Sequence, residues 1–140
     1  MQRRMSQPAQ RRIVADYFRG LPPGRLLDVP CGRMWLAAAL DGLGFEYHGA
    51  DLQPAGTAPA AAAFHQVDLD RELPFADATF DYIACIEGVE HCESVHGVLR
   101  ELGRVLRPGG RLLLSTPNVL TVKSRLRYLL RGRYYGFPHL

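Results

Sequence analysis

Residues Leu26-Leu27-Asp28-Val29-Pro30-Cys31-Gly32 form a short apolar run that ends in an acid and breaks into a Pro/Gly turn; the helix-like stretch Trp35-Leu36-Ala37-Ala38-Ala39-Leu40 follows at once. This reads as strand, tight loop and helix start, which gathers backbone N–H groups and the positive end of a helix dipole around one point. Glu46-Tyr47-His48-Gly49-Ala50-Asp51 repeats the theme, a second short strand ending in an acid. From that position a carboxylate can hold ribose hydroxyls. The chain reads as built around a nucleoside.

The rest of the chain alternates in the same way. Gln10 to Phe18 has Ile13, Val14, Tyr17 and Phe18 at helical spacing and ends at Gly20, before Pro22-Pro23-Gly24, which predicts a leading helix. A helix from Trp35 to Leu43 is stopped by Gly44, and the second strand runs from Phe45 to Ala50. Pro54 to Ala63 is low-complexity, its Pro and Gly allowing at most a short crossover helix before a third strand at Phe64-His65-Gln66-Val67. Phe80 to Ile86 is a nearly continuous apolar run, as expected of a central strand covered on both faces. Ser94 to Leu106 sets Val95, Val98, Leu99, Leu102, Val105 and Leu106 on one stripe; Pro108-Gly109-Gly110 is read as its stop and Arg111 to Ser115 as a fifth strand. Such alternation implies a mostly parallel sheet with right-handed crossovers and a ligand beyond the carboxyl ends of the strands. Asp28, Asp51, Asp68 and Glu87 all fall there.

At 140 residues the chain is read as one domain, and its 47% hydrophobic and 22% charged content is ordinary for a soluble protein. No apolar run is long enough to span a bilayer, and the Arg pairs near Met1 have no apolar stretch behind them, so the expected location is cytoplasmic. Cys31, Cys85 and Cys92 are an odd set without a Cys-x-x-Cys pair, which argues against a disulfide framework or structural zinc. Glu87, Glu90, His91, Cys92 and His96 match no common ligand spacing, and no metal is expected.

The ordered blocks Leu27 to Gly32, Gly49 to Leu52, Val67 to Phe75, Phe80 to Ile83, Ile86 to His91 and Leu102 to Asn118 resemble the class I S-adenosylmethionine-dependent methyltransferases over residues 25 to 118. Ser115 to Leu130 is similar to the segment after the fifth strand in the small members grouped with methionine- and quinone-biosynthesis relatives. The resemblance implies an α/β fold, a Rossmann-like doubly wound sheet with helices on both faces. It also implies transfer of the cofactor's methyl group to a small-molecule acceptor. Carried over, Asp28 and Gly32 flank the amino-acid part of S-adenosylmethionine, Asp51 takes the ribose hydroxyls, Asp68 and Leu69 lie beside the adenine, Glu87 lines the floor, and Pro30, Cys31 and Leu52 are further cofactor-binding positions. Carboxylates at strand ends also complement a cationic cofactor on electrostatic grounds. A dinucleotide dehydrogenase is disfavoured, because Gly-x-Gly-x-x-Gly would fall on Pro30, Gly32 and Trp35.

The chain departs from the family pattern in two places. Where the loop most often has Gly-x-Gly-x-Gly, this chain has Pro30, Gly32 and Met34; a long side chain at the last position predicts a partly filled pocket or a changed backbone. The family sheet continues past a fifth strand, whereas only Val119 to Leu140 follow here, which predicts a truncated sheet or a domain whose exposed edge a partner or a second copy covers. The expected layout is a leading helix and linker at 1–24, a cofactor-binding core at 25–118 and a basic amphipathic segment at 119–140.

His91 and Glu87 are the catalytic candidates. His91 reads either as a general base for a hydroxyl acceptor or as a helix-start histidine bonded to backbone. Asp70 reads as a ligand contact or a solvated acid, and Asp81 as a strand-start residue. Val119, Val122, Leu126, Leu129 and Leu130 share a helical face flanked by Lys123, Arg127 and Arg131; such a stripe packs on the body or lies on a membrane surface. The Arg-rich ends carry no nucleic-acid recognition motif. The reading from another class is a non-catalytic or truncated remnant that acts as a partner-binding module.

Overall fold

The computed structural model describes residues 8–53, 62–118 and 122–131. Five strands, β1 (Arg25–Asp28), β2 (Glu46–Asp51), β3 (Ala63–Gln66), β4 (Phe80–Ile86) and β5 (Leu106–Ser115), form a sheet in the order β3-β2-β1-β4-β5. Every neighbouring pair is parallel. The order reverses between β1 and β4, and crossovers leaving in opposite directions open a crevice at the carboxyl ends of the strands there.

Strand alternation sorts the side chains into two cores. Leu26, Tyr47 and Ala84 pack under α1 (Pro8–Arg19) and α2 (Trp35–Ala39), against Val14, Phe18 and Leu36. Leu27, Val29 and Ile83 pack on the other face under α3 (Val95–Val105), against Val98, Leu102 and Val105. Helices on both faces make the sheet doubly wound, and they explain why β4 reads as a nearly continuous apolar run. Truncating Leu27 or Leu102, both fully buried, costs about 2–5 kcal/mol.

Several boundaries move from where periodicity put them. The second helix stops at Ala39, with Leu40 as its cap, because Gly42 and Gly44 at φ +73° and +81° turn the chain away before Leu43. Helix α3 ends at Val105, and β5 begins directly at Leu106 rather than at Arg111. Pro108-Gly109-Gly110 is thus an internal bulge of β5: Phe80 pairs with Leu106, but Tyr82 pairs with Arg111. A Cβ on Gly110 would lie 2.7–2.9 Å from Leu106 Cδ1, Arg107 O and Asp81 O, so the bulge requires glycine at that point.

The buried stripes are narrower than expected. Helix α1 buries Val14, Ala15 and Phe18 and leaves Ile13 70% exposed; α3 leaves Val95 and Leu99 largely in solvent. In α4 (Val122–Arg131), Leu126, Leu129 and Leu130 are exposed, so packing of these side chains on the body is not met. Residues 54–61, which carry the low-complexity stretch, and Val119 lie outside the described residues.

Candidate functional site

The turn after β1 is built from two left-handed residues, Gly32 and Met34, each at φ +54°. Glycine adopts this without strain, whereas methionine pays about 1 kcal/mol. Met34 N–H donates to Cys31 O at 2.9 Å, and Cys31 N–H donates to Ala50 O at 2.9 Å, which closes the turn and ties it to β2. The Met34 side chain is 1% exposed and lies in the core beneath the turn. It lies over Gly49: a Cβ there would sit 2.8 Å from Met34 Cε and 3.1 Å from Cys31 Sγ. The expected intrusion into a ligand pocket does not occur. Gly49 makes room for the thioether below, and the backbone keeps the conformation a glycine would have.

A cleft opens at the carboxyl ends of β1, β2 and β4. Of the residues singled out from the sequence, Pro30, Asp51, Leu52, Asp68, Leu69, Asp70, His91 and Cys92 line it, joined by Val29, Val67 and Gly88. Asp28, Cys31, Gly32 and Glu87 are not among its lining residues. A larger hollow of about 370 Å³ lies by the start of β2, between Leu40, Phe45, Tyr47 and Ala62. It sits away from the strand carboxyl ends and holds one acid, Asp41, so the smaller cleft is the better candidate on chemical grounds.

The two strand-end aspartates have different surroundings. Asp28 is 2% exposed, and the Tyr47 hydroxyl donates to its Oδ2. Burial pushes the Asp28 carboxyl up to about 7; the Tyr47 bond opposes this and the neighbouring Asp51 adds to it. Burial and the facing carboxylate also push the Tyr47 phenol upward, so the shared proton stays on tyrosine. Asp51 lines the cleft. Its Oδ2 accepts from Gly32 N–H at 2.9 Å and its Oδ1 from Gln53 N–H at 3.3 Å, which joins the acid end of β2 to the turn after β1.

The other acids near the cleft are partly committed to backbone. Asp68 Oδ1 accepts from Asp70 N–H at 3.0 Å, an Asx turn. Asp70 Oδ1 accepts from Glu93 N–H at 2.8 Å and Ser94 N–H at 3.3 Å, and Ser94 in turn caps α3 through Gly97 N–H. Asp70 therefore holds the α3 entry as well as lining the cleft. Asp81, read as a strand-start residue, accepts from Arg25 N–H at 2.8 Å and pairs with Arg107.

Beyond β4 the chain turns at Glu87, a left-handed residue at φ +51° whose N–H donates to Ser115 O at 3.0 Å. The short helical turn Val89–His91 follows. The His91 side chain is 47% exposed, and its Nε2 lies 4.0 Å from Glu90 Oε1. The Glu90 side chain is only 6% exposed, and its Oε2 has no hydrogen-bond partner among the described residues. Burial raises the Glu90 carboxyl above the ordinary glutamate range. Cys85 is fully buried, which pushes its thiol up to about 12 and makes it a poor nucleophile. Among the described residues no three His, Cys, Asp or Glu side chains gather as a metal-ligand set.

Tyr47 and Gly49 were missed in the sequence. Strand alternation does set Tyr47, Gly49 and Asp51 on one face of β2, and a buried acid on β1 requires a donor, so a tyrosine in the adjacent strand was the available signal.

The methyltransferase domain family matches residues 1–139. Ubiquinone biosynthesis O-methyltransferases from Alkalilimnicola ehrlichii and Aeromonas salmonicida are each 30% identical, over 138 and 136 residues. The alignments cover 91% of this chain but 55% and 57% of those proteins, so the chain spans about half the length of the curated relatives it matches. Among solved structures, the YcgJ protein from Bacillus subtilis aligns at TM-score 0.68 with 21% identity, covering 91% of this chain and 61% of that one. A putative S-adenosyl-L-methionine-dependent methyltransferase from Methanococcus maripaludis aligns at 0.62 with 20% identity, covering 86% and 63%. A Haloferax volcanii putative methyltransferase complexed with the Trm112 activator aligns at 0.63 with 26% identity, covering 72% and 48%. The first two likenesses concern the fold.

Proposed function

We propose, from the premise that this chain belongs to the methyltransferase domain family, that its cleft binds S-adenosylmethionine and serves methyl transfer to the oxygen of a small-molecule acceptor. The observation that carries the reading is the bond from Gly32 N–H to Asp51 Oδ2, which places a carboxylate beside the glycine turn at the switch point of the sheet. The residues present fit this cofactor. Asp51, Asp68 and Asp70 offer negative charge to a cation, Leu52, Val67 and Leu69 offer apolar walls to an adenine, and Met34 is turned away.

In this reading Asp51 and Leu52 hold the ribose and Asp68 and Leu69 flank the adenine. Pro30, Cys31 and Gly32, with Asp28 beneath, shape the end that takes the amino-acid part. When bound, the cofactor supplies a methyl group on a sulfonium, an electrophile that needs no activation by the protein. The protein's task is alignment and exclusion of water, since an in-line displacement gains most from positioning. Glu87 forms the floor, and His91 at the mouth takes the acceptor's hydroxyl proton. The O-methyltransferase names of the relatives support the acceptor atom.

Calorimetric titration with S-adenosylmethionine and S-adenosylhomocysteine tests the reading. The chain is expected to bind both, and Asp51→Ala to weaken both by about 10- to 100-fold, the worth of hydrogen bonds to a charged group. Silence of the wild-type chain at millimolar ligand overturns it. That silence would favour a second reading, a partner-binding module, which the exposed Leu126, Leu129 and Leu130 of α4 support. Under either reading, residues 119–140 are the segment to compare by co-sedimentation with anionic liposomes, and light scattering reports whether a second copy covers the sheet edge.

A further inference from the structure

On the α3 side of the sheet, away from the cleft, two histidines face each other across β2 and β3. His48 Nδ1 lies 3.1 Å from His65 Nε2, and His48 Nε2 lies 3.0 Å from Glu46 Oε1. The rings are 20° from parallel with centroids 5.3 Å apart. That separation exceeds the nitrogen–nitrogen distance by about a ring's width, so the rings meet edge to edge, nitrogen aimed at nitrogen, in the geometry of a shared proton. Glu46 also pairs with Arg25 Nε at 3.1 Å, which continues the chain of contacts onto β1. Phe80 and Phe75 close around the imidazoles, with centroids 5.4 Å from His48 and 4.9 Å from His65. Among the described residues, Glu46 and, through it, Arg25 make charged contacts with the pair.

We propose that Glu46, His48 and His65 form a proton-counting clasp that holds the outer strand β3 to β2, closed while the imidazole pair carries at most one added proton and open when it carries two. The hydrogen-bond inventory requires this. Glu46, ionised, only accepts, so neutral His48 donates from Nε2 and its bare Nδ1 receives the Nε2–H of His65. One added proton leaves a donor facing an acceptor. A second puts hydrogen on both facing nitrogens, and the bond becomes a repulsion. β3 is also tied by its backbone ladder, by Val67 N–H to Asp51 O, by Gln66 Nε2 to Leu52 O and by Phe64 packed on the core. Directly after β3 come Val67, Asp68 and Leu69, which line the cleft, so opening the clasp loosens one wall of the proposed site.

The sign follows from burial. Desolvation and the neighbouring His48 lower the His65 value below its ordinary 6.5. As pH falls from 6.5 toward that lowered value, the unfolded chain takes up a proton that the folded chain refuses, and the folding constant drops about tenfold per pH unit. Urea unfolding of the full chain at about pH 7.5 and about pH 5.5, for wild type and His65→Gln, measures this; glutamine keeps a donor for His48 Nδ1 but cannot gain a proton. The ratio of the wild-type to the H65Q folding constant is expected to fall about tenfold per pH unit on acidification below 6.5, and equal slopes overturn the clasp.

Imidazole proton shifts of the wild type, followed by NMR, decide the matter even if H65Q does not fold. Two separate steps, the second accompanied by faster amide exchange at Gln66 and Val67, support the clasp; a single overlapping titration with unchanged exchange rejects it. The consequence for the cleft rests on the proposed function. S-adenosylhomocysteine affinity should fall with the second step, and failure to bind it at any pH counts against that function while the unfolding and NMR results still decide the clasp.

Discussion

The carboxyl ends of β1 and β2 both finish in aspartate, and the two carboxyls have different hydrogen-bond partners. Asp28 is sealed beneath the turn and bonded to Tyr47, whereas Asp51 lines the cleft and accepts backbone N–H groups from Gly32 and Gln53. Both are buried, at 2% and 4% exposure, and the difference lies in their hydrogen-bond donors. Asp51 has two backbone N–H donors, whereas Asp28 has one hydroxyl and an apolar core, which favours its neutral form. An acid at a strand end thus keeps its backbone donors or titrates within the core according to what packs beside it.

The largest effect should come from removing the charge at Asp28. With Asp28 near 7 when folded and at 3.8 when unfolded, the folded state holds a proton that the unfolded chain has released. The contribution of Asp28 to stability is then fully present below pH 3.8 and is lost as pH rises toward 7, by roughly 4 kcal/mol in all at about 1.4 kcal/mol per pH unit. Asp28→Asn should flatten that decline in urea unfolding and exceed the wild type above neutrality by up to about 4 kcal/mol. Parallel profiles would remove the contrast between the two strand ends.

Deleting the partner sharpens the same comparison. Tyr47→Phe leaves the Asp28 carboxyl without its donor, at a cost of about 1–3 kcal/mol, and should move the decline to higher pH because the Tyr47 bond holds the carboxyl down. A midpoint that stays put would show that Tyr47 does not govern Asp28.

Gly49→Ala presses on the turn from below. The new methyl meets the flexible end of Met34 and the fixed Cys31 sulfur, so a loss of about 1–3 kcal/mol is expected in the same assay. No loss would mean that the turn does not depend on the space above Gly49. The smallest change belongs to the acid with two donors: Asp51→Asn keeps an oxygen for Gly32 N–H but sets an amide nitrogen against Gln53 N–H, and should cost about 1 kcal/mol. If it stabilised the chain as Asp28→Asn does, the donors would not distinguish the two sites.

The strands were legible in the sequence because each is short, apolar and punctuated: Phe80 to Ile86 has the same limits in both readings, and β1 and β2 end on the acids that mark them. The cleft was legible where its residues follow strand ends directly, as at Pro30, Asp51, Leu52, Asp68 and Leu69. The start of β5 was not. Pro-Gly-Gly reads as a stop when only local preference is considered, and the pairing of Leu106 with Phe80 overrides it. The apolar stripes were read too wide, because periodicity reports which residues can face inward but not how many the neighbouring sheet has room to cover.

By itself, the order of residues determined the alternation of strands and helices, the parallel sheet that follows from it and the placing of acids at strand ends; these depend on local period and chain chirality. Only the tertiary structure decided which acid meets a tyrosine hydroxyl and which two backbone N–H groups, that Met34 turns under the loop because Gly49 leaves space, and that His48 meets His65 across two strands. Those outcomes depend on distances between residues far apart in the chain, and solvation and hydrogen bonding change over a few ångströms that no local pattern encodes.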